Sequence, residues 1–213
     1  MREAAITRKT AETDISVKLN LDGSGEAKID YPIGFMKHML NTFAKHGLFD
    51  VEIKAKGDLE VDQHHLVEDT GIVLGQCFAK ALGDKRGIAR VGSCFYPMDE
   101  TSARSAVDVS GRAFLVFDAQ LSGVPLVCEP DREAGAPNGT WEACAFQTDT
   151  VEDFWQGFVS FSAITLHLEI TRGRSDHHKI EALFKAASRA LRYACEIDSR
   201  AAENIPSTKG TLG

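Results

Sequence analysis

The sequence lacks the features of a secreted, membrane-spanning or nucleic-acid-binding protein. Its five cysteines are odd in number and include no CxxC pair, which favours reduced thiols over a disulfide framework. No stretch approaches the ~18 apolar residues of a membrane span, and the N-terminal residues contain no apolar segment typical of a signal peptide. A formal net charge of −7 argues against a general nucleic-acid binder, whose affinity depends on neutralising phosphates. We therefore expect a cytoplasmic protein that binds neither membranes nor nucleic acid.

The 213 residues are enough to bury a core, and they suit one domain or two small fused halves. Alternating apolar residues predict strands, and apolar residues three or four apart predict helices. Asp22–Gly25 predicts a hairpin turn between the first two strands. Residues 124–139, rich in proline, glycine and acids, predict an exposed insertion. The predicted strands are 14–20, 26–31, 49–55, 59–61, 88–96, 102–109, 113–119, 141–147 and 164–170, and the apolar faces of the predicted helices span 35–43, 66–82, 151–161 and 180–194.

A histidine motif, HHxxE, occurs twice, at His64–Glu68 and at His177–Glu181. Residues four apart on a helix share one face, so the first histidine and the glutamate can bind one ion. The second histidine, His65 or His178, points about 100° away. Each motif thus offers ligands in two directions, for two metals or for one metal here and one across a subunit contact. Imidazole and carboxylate without thiolate suit Mn, Fe, Co or Zn. The alternative is two solvated, histidine-rich helix starts, which would need the same spacing to arise twice.

The two motifs lie 113 residues apart (177 − 64), about half the chain. An internal repeat is the simplest account of this spacing. The repeat pairs His38 with Asp153, each on the helix that precedes its HHxxE helix. His167, ten residues before His177, is matched with Lys54, and we interpret His167 as a structural residue of a strand.

Several ordered motifs together resemble imidazoleglycerol-phosphate dehydratase, the lyase of histidine biosynthesis, over nearly the whole chain. The matched motifs occur along the whole chain, from residue 12 to residue 210. They are Glu12-Thr13, His38-Met39-Leu40, HHLVED from His64, 81–88, Pro97–Glu100, Ser110-Gly111-Arg112, Thr165-Leu166-His167, HHKIEALFKA from His177, and Pro206–Gly210.

This resemblance implies an α+β fold, a two-layer α/β sandwich formed by internal duplication, with each half a sheet backed by two helices (ribosomal protein S5 domain 2-like). The half-repeats of this single domain would cover about 1–87 and 88–213. The implied reaction dehydrates D-erythro-imidazoleglycerol phosphate to imidazoleacetol phosphate. Also implied are two Mn²⁺ ions per active site, bound between subunits, and trimers that build a 24-subunit assembly.

The resemblance also assigns roles to residues. Arginine offers a phosphate a planar fork and lysine a point charge, while the polar tail adds hydroxyl donors. The implied metal ligands are His38, His64, His65, Glu68, His177, His178 and Glu181, to which the repeat adds Asp153. The implied catalytic residues are Glu12, His64, Glu68, His177 and Glu181. The implied substrate-binding residues are Glu12, His38, His46, Arg90, Arg112, Lys185, Ser207, Thr208 and Lys209.

The chain departs from the family pattern at two positions. Asp153 stands where the family usually has a metal-binding histidine, and Lys37 stands where it usually has aspartate. A carboxylate can still bind Mn²⁺, but an acid in a helix's first turn also simply complements the helix dipole. An alternative is therefore a catalytically impaired, metal-binding paralogue with the same assembly, and another is a different enzyme on the same scaffold. Glu12 is the candidate acid and base of the reaction. The alternatives for this role are metal-bound water and a histidine that contacts a metal ligand without binding the metal itself.

Overall fold

The computed structural model describes residues 2–127 and 145–212. Within these residues, no helix is long and apolar enough to cross a membrane. The chain order is β1 (Glu3–Lys9), β2 (Thr13–Asn20), β3 (Ala27–Asp30), α1 (Gly34–Gly47), β4 (Asp50–Gly57), α2 (His64–Leu82), β5 (Val91–Met98), β6 (Thr101–Asp108), β7 (Phe114–Asp118), β8 (Leu126–Val127), β9 (Ala145–Phe146), α3 (Thr150–Ser162), β10 (Thr165–Arg172) and α4 (Asp176–Cys195).

Two four-stranded sheets share one topology. Their strand orders are β1-β2-β4-β3 and β5-β6-β10-β7. In each sheet the first two pairings are antiparallel and the last is parallel. Alternation on β2 buries Ile15, Val17 and Leu19 against the helices and leaves the intervening side chains toward solvent. The predicted duplication of a sheet with two helices is therefore confirmed.

The repeat also fixes which residues correspond. Helices α1 and α3 both end at a left-handed residue, Leu48 with φ 52° and Ala163 with φ 53°, each donating its backbone N–H to the carbonyl four residues back. This offset of 115 (163 − 48) places Asp153 opposite His38, as the sequence predicts.

The strand register corrects one correspondence. Val51 lies between Leu19 and Ala27, and Leu166 lies between Val107 and Leu115. His167 therefore corresponds to Glu52, and its match with Lys54 was wrong. The connection from β10 to α4 is shorter than that from β4 to α2. Counting back the same number of residues from His64 and from His177 therefore does not reach equivalent positions in the two sheets.

The helices pair across the two halves. Helix α2 packs on the first sheet and against α3, while α4 packs on the second sheet and against α1. Gly71 and Gly75 allow a close approach of α2 to α3, because a Cβ atom on either glycine would overlap a backbone carbonyl of α3, at Phe154 or Phe158. Each helix pair thus brings one helix from each half into direct contact.

Two local predictions were wrong. The predicted hairpin through Asp22–Gly25 does not form, because β2 pairs with β1 and β4, and β3 runs parallel to β4 on its far side. The loop instead wraps around Asp50, whose Oδ1 accepts N–H bonds from Ser24, Gly25 and Glu26 at 2.8, 3.1 and 3.0 Å. These bonds hold the pKa of Asp50 below its usual value.

The other error concerns 59–61, which is a turn rather than a strand. Strand β1 is missing from the predicted strands, because only two of its inward-facing residues, Ala4 and Ile6, are apolar, and the third is Arg8. The predicted strand 88–96 begins only at Val91, after Arg90 adopts a φ of 70°. Most of the predicted insertion 124–139 and of the predicted strand 141–147 lies outside the described residues, which include 124–127 of the first and 145–147 of the second.

Candidate active site

The first cluster, the α4 half-site, consists of His38 from α1 and of His177 and Glu181 from α4. The Oε2 atom of Glu181 lies 3.4 Å from His38 Nε2 and 3.3 Å from His177 Nε2. The donor atoms of all three residues lie within 4.8 Å of one another. Glu181 is buried, whereas both histidine rings are about half exposed. The cluster is therefore open to solvent on the side of the imidazoles.

Two further side chains support the α4 half-site. Lys185 Nζ lies 2.8 Å from Glu181 Oε1. Burial alone would raise the pKa of the Glu181 carboxyl, but Lys185 and His38 hold it below its usual value. The ring of Phe35 lies edge-on to His177, with centroids 5.1 Å apart. The carboxylate is thus kept charged, and the histidine has an apolar wall behind it.

The second cluster, the α2 half-site, contains the repeat equivalents Asp153, His64 and Glu68. Asp153 Oδ2 lies 3.3 Å from His64 Nδ1, and Glu68 Oε2 lies 3.8 Å from His64 Nε2. All three side chains are about 40% exposed, at 39%, 43% and 43%. Here the imidazole stands between the two carboxylates, with one on each ring nitrogen, so the donor atoms converge less than in the α4 half-site.

The adjacent histidines point elsewhere. The rings of His64 and His65 meet at 78°, and those of His177 and His178 at 89°. His65 Nδ1 lies 3.1 Å from Asp58 Oδ2, a hydrogen bond that raises the pKa of His65. His178 Nδ1 lies 2.8 Å from Glu100 Oε2. This contact and an N–H bond from Ser175 lower the pKa of Glu100 to about 2. Each motif therefore presents imidazoles in two directions, as helical spacing predicts.

Glu12 and Glu100 occupy equivalent positions, 88 residues apart (100 − 12), directly before β2 and β6. Glu100 is engaged by His178 and Ser175, whereas the Glu12 carboxylate makes no hydrogen bond to any described residue. Its charge nevertheless contributes to the raised pKa of His65. Sequence reasoning gave no role to Asp58 or Glu100. The offset of 88 that relates the two glutamates appears only in the strand register, where Leu19 corresponds to Val107.

His46 and Lys185 share a wall formed by Tyr96. The rings of His46 and Tyr96 are 5.5 Å apart at 88°, and Lys185 Nζ lies 5.5 Å from the Tyr96 centroid. Burial, together with the charge of Lys185, lowers the pKa of His46. These two predicted substrate residues therefore lie beside the α4 half-site. Tyr96 itself had not been predicted.

The predicted phosphate contacts meet at one place. A cavity of about 410 Å³ is lined by Arg90, Ser110, Gly111, Arg112, Ser207, Thr208, Lys209, Thr211 and Leu212. Arg90 is already paired with Asp108, at 2.7 and 3.0 Å, and donates to the Pro206 carbonyl. Arg112 and Lys209 are exposed. The fork of Arg90 therefore anchors the tail, and the other two cations are better placed to receive an anion.

None of the histidines of either half-site lines this cavity. His167 lies on the outer face of the second sheet, in a separate depression with Cys94 and Arg104. Lys37 is exposed on α1 beside His38.

Comparison with known proteins identifies the family. The family described as imidazoleglycerol-phosphate dehydratase matches residues 32–191. The chain is 50% identical to imidazoleglycerol-phosphate dehydratases from Methylorubrum populi and Lacticaseibacillus casei, with all of both chains covered. The crystal structure of the Staphylococcus aureus enzyme matches with a TM-score of 0.75 and 35% identity, covering 92% of this chain and 99% of that one. The Pyrococcus furiosus structure matches with a TM-score of 0.74 and 28% identity, covering 97% and 100%. The chain belongs to the imidazoleglycerol-phosphate dehydratase family.

Proposed function

We propose that this hydro-lyase of histidine biosynthesis converts imidazoleglycerol phosphate to imidazoleacetol phosphate with two divalent metal ions, preferably Mn²⁺, in each active site. The observation that carries the proposal is the α4 half-site, where two imidazoles and a buried carboxylate bring their donor atoms within 4.8 Å. Its repeat equivalent supplies a second set, and the cationic cavity near Arg112 is suited to a phosphate.

The donor chemistry of both half-sites fits such ions. Imidazole with carboxylate and no thiolate suits Mn²⁺ and its neighbours. His38, His177 and Glu181 would hold one ion, and His64, Glu68 and Asp153 the other. When bound, the ions would act as Lewis acids on the imidazole ring of the substrate and orient it. Asp153 Oδ2 lies 3.3 Å from His64 Nδ1, at the position on α3 that corresponds to His38 on α1. Nothing in this arrangement favours a catalytically impaired paralogue.

The outward histidines motivate an oligomer. His65 and His178 are turned away from the ligands of their own helices and paired with Asp58 and Glu100. We infer that they complete the metal sites of neighbouring copies, in trimers that assemble to 24 subunits in the cytoplasm. Size-exclusion chromatography with light scattering should give the large assembly with Mn²⁺ and a smaller one with EDTA. An unchanged mass for the variant His65→Ala with Mn²⁺ would contradict this role of His65.

Proton transfer would fall to residues of the chain. The proton to be removed is not next to a carbonyl, so a positioned base must take it from the side-chain carbon. Glu12 is the better placed of the two equivalent glutamates, because Glu100 is held by His178 and Ser175. Its carboxylate would take that proton and return one to the departing hydroxyl oxygen. Arg112 and Lys209 would hold the phosphate, and Lys185 and His46 would border the substrate on the α4 side.

A steady-state assay tests the function directly. The purified chain is assayed with imidazoleglycerol phosphate after EDTA treatment and again after Mn²⁺ is restored. We expect turnover only with metal. No turnover at full metal occupancy would overturn the activity, and full turnover after complete metal removal would overturn the metal dependence.

A further inference from the structure

The residue before each histidine pair is fastened to the rest of the chain. Gln63 precedes His64, and its backbone N–H donates to Gln147 Oε1 at 3.0 Å. In return, the Gln147 N–H donates to Gln63 Oε1 at 3.1 Å, and Gln63 Nε2 donates to the Ala145 carbonyl at 2.6 Å. Three hydrogen bonds therefore hold Gln63 at the start of α2, in addition to the bond in which Asp62 Oδ1 accepts the His64 N–H at 2.8 Å.

The equivalent residue of the second half, Asp176, precedes His177 and is fastened in a comparable way. Its Oδ2 accepts hydrogen bonds from the N–H and the hydroxyl of Ser122, at 2.8 and 2.5 Å. Its Oδ1 accepts from Lys179 Nζ at 3.0 Å, and Lys179 also donates to the Gln120 carbonyl at 3.0 Å. Asp176 and Lys179 are both buried, so the bond between them is shielded from water, whereas Ser122 is exposed.

Ser122 and Gln147 belong to one connection, the segment between β7 and α3. Its two described ends pair with each other, Leu126 with Phe146 and Val127 with Ala145. Phe146 is buried, and its ring packs on that of Phe35 with the centroids 4.8 Å apart. The Phe35 ring in turn packs on His177, with the centroids 5.1 Å apart. The end with Phe146 and Gln147 thus contacts residues next to both half-sites. The end with Ser122 bonds the first turn of α4.

We propose that the two described ends of this connection, 119–127 and 145–149, position the residues of both metal half-sites. Gln147 fixes the first turn of α2, and hence His64 and His65, while Ser122 fixes the first turn of α4, and hence His177 and His178. Residues that hydrogen-bond to metal ligands, or to the segment that carries them, orient the ligands' donor atoms. Because the two ends pair through β8 and β9, the geometry of one half-site is tied to that of the other.

The test is a Mn²⁺ titration of the full chain, with free Mn²⁺ followed by electron paramagnetic resonance. Gln147→Met keeps the side chain's size but removes the acceptor, whereas Gln147→Glu keeps the acceptor. We expect about tenfold weaker binding for the first and binding within about twofold of the unaltered chain for the second. Gln156→Met is the matched control, because the Gln156 side chain lies on the exposed side of α3 and, within the described part of the chain, donates only to Ser160. Unchanged affinity in Gln147→Met would overturn the proposal.

A double variant separates positioning from general destabilisation. If Gln63 and Gln147 act as one pair, Gln63→Met with Gln147→Met should bind Mn²⁺ no more weakly than the worse single variant. Losses that multiply would overturn the paired role. Ser122→Ala, which keeps the N–H bond to Asp176, should weaken binding about threefold, and no loss there would remove the α4 end of the proposal. The proposal rests on the proposed metal sites: an unaltered chain that binds no Mn²⁺ sinks those sites, whereas normal binding by every variant sinks only the positioning role.

Discussion

The two half-sites share a backbone frame but differ in charge. The α4 half-site has two imidazoles, a buried glutamate and Lys185, while the α2 half-site has one imidazole and two exposed carboxylates. At the position equivalent to Lys185 the first half has Ile72, 113 residues earlier (185 − 72). The charges of Glu181 and Lys185 therefore balance in one half-site, whereas no described lysine or arginine forms an ion pair with the two carboxylates of the other. The shared frame sets where the side chains of each half-site lie, and the residues that differ between the halves set the charge around them.

The largest expected effect separates the equivalent glutamates. Glu12→Gln should lower kcat by about 1000-fold, because it removes the proposed base while leaving the metal ligands in place. Glu100→Gln, the matched change in the second half, keeps an acceptor for Ser175 and should stay within about tenfold. Both are measured at saturating Mn²⁺ with assembly checked by light scattering. Equal losses would show that the two positions are not distinguished by their hydrogen bonds.

The next effect concerns stability without metal. Glu181→Ala leaves Lys185 nearly buried without its partner, so it should lower the free energy of unfolding by about 3 kcal/mol. Glu68→Ala removes a side chain that is 43% exposed. This substitution should change the free energy of unfolding by less than about 0.5 kcal/mol. Urea unfolding in EDTA measures both. Similar values would mean that the contrast in burial has no energetic consequence.

A smaller effect decides the role of Asp153. If its carboxylate binds metal, Asp153→Asn should weaken Mn²⁺ binding about tenfold, and Asp153→His should stay within about threefold because imidazole is also a ligand. Glu152→Gln is the control, since it removes another acid from the first turn of α3. If Asp153→Asn and Glu152→Gln both bind Mn²⁺ normally and each lowers the free energy of unfolding by about 0.5 kcal/mol, the Asp153 carboxylate only interacts favourably with the helix dipole.

The smallest effect lies where β4 and β10 begin. Asp50 accepts three backbone N–H bonds, whereas its equivalent, Thr165, has a neutral hydroxyl. Since the pKa of Asp50 is lowered in the folded chain, its charge stabilises the fold above the usual carboxyl pKa near 4, and this stabilisation is lost as the pH falls through the lowered value. Asp50→Asn should cost about 1 kcal/mol at pH 7 and progressively less in acid. A difference that does not change with pH would contradict the ionic origin.

Local patterns made much of this molecule predictable. The HHxxE motifs, the helices that carry them and the repeat all follow from spacing along one chain segment. What failed depends on contacts distant in sequence: β3 was assigned to β2 because the turn looked local, although it pairs beyond β4. Glu100 and Gln147 were missed for the same reason, since their partners lie 78 and 84 residues away.

The glycines between α2 and α3 limit what mutation can do to this fold. Gly71 and Gly75 leave no room for a methyl group against the carbonyls of α3. Those same two helices carry His64 and Asp153, whose ring nitrogen and carboxylate oxygen lie 3.3 Å apart. Separating the helices by even a fraction of an ångström would exceed the tolerance of about 0.2 Å in metal–ligand distances. Replacement of either glycine by alanine, commonly counted as conservative, would therefore displace the proposed metal ligands through a backbone shift alone, and these two positions should be among the least tolerant in the chain.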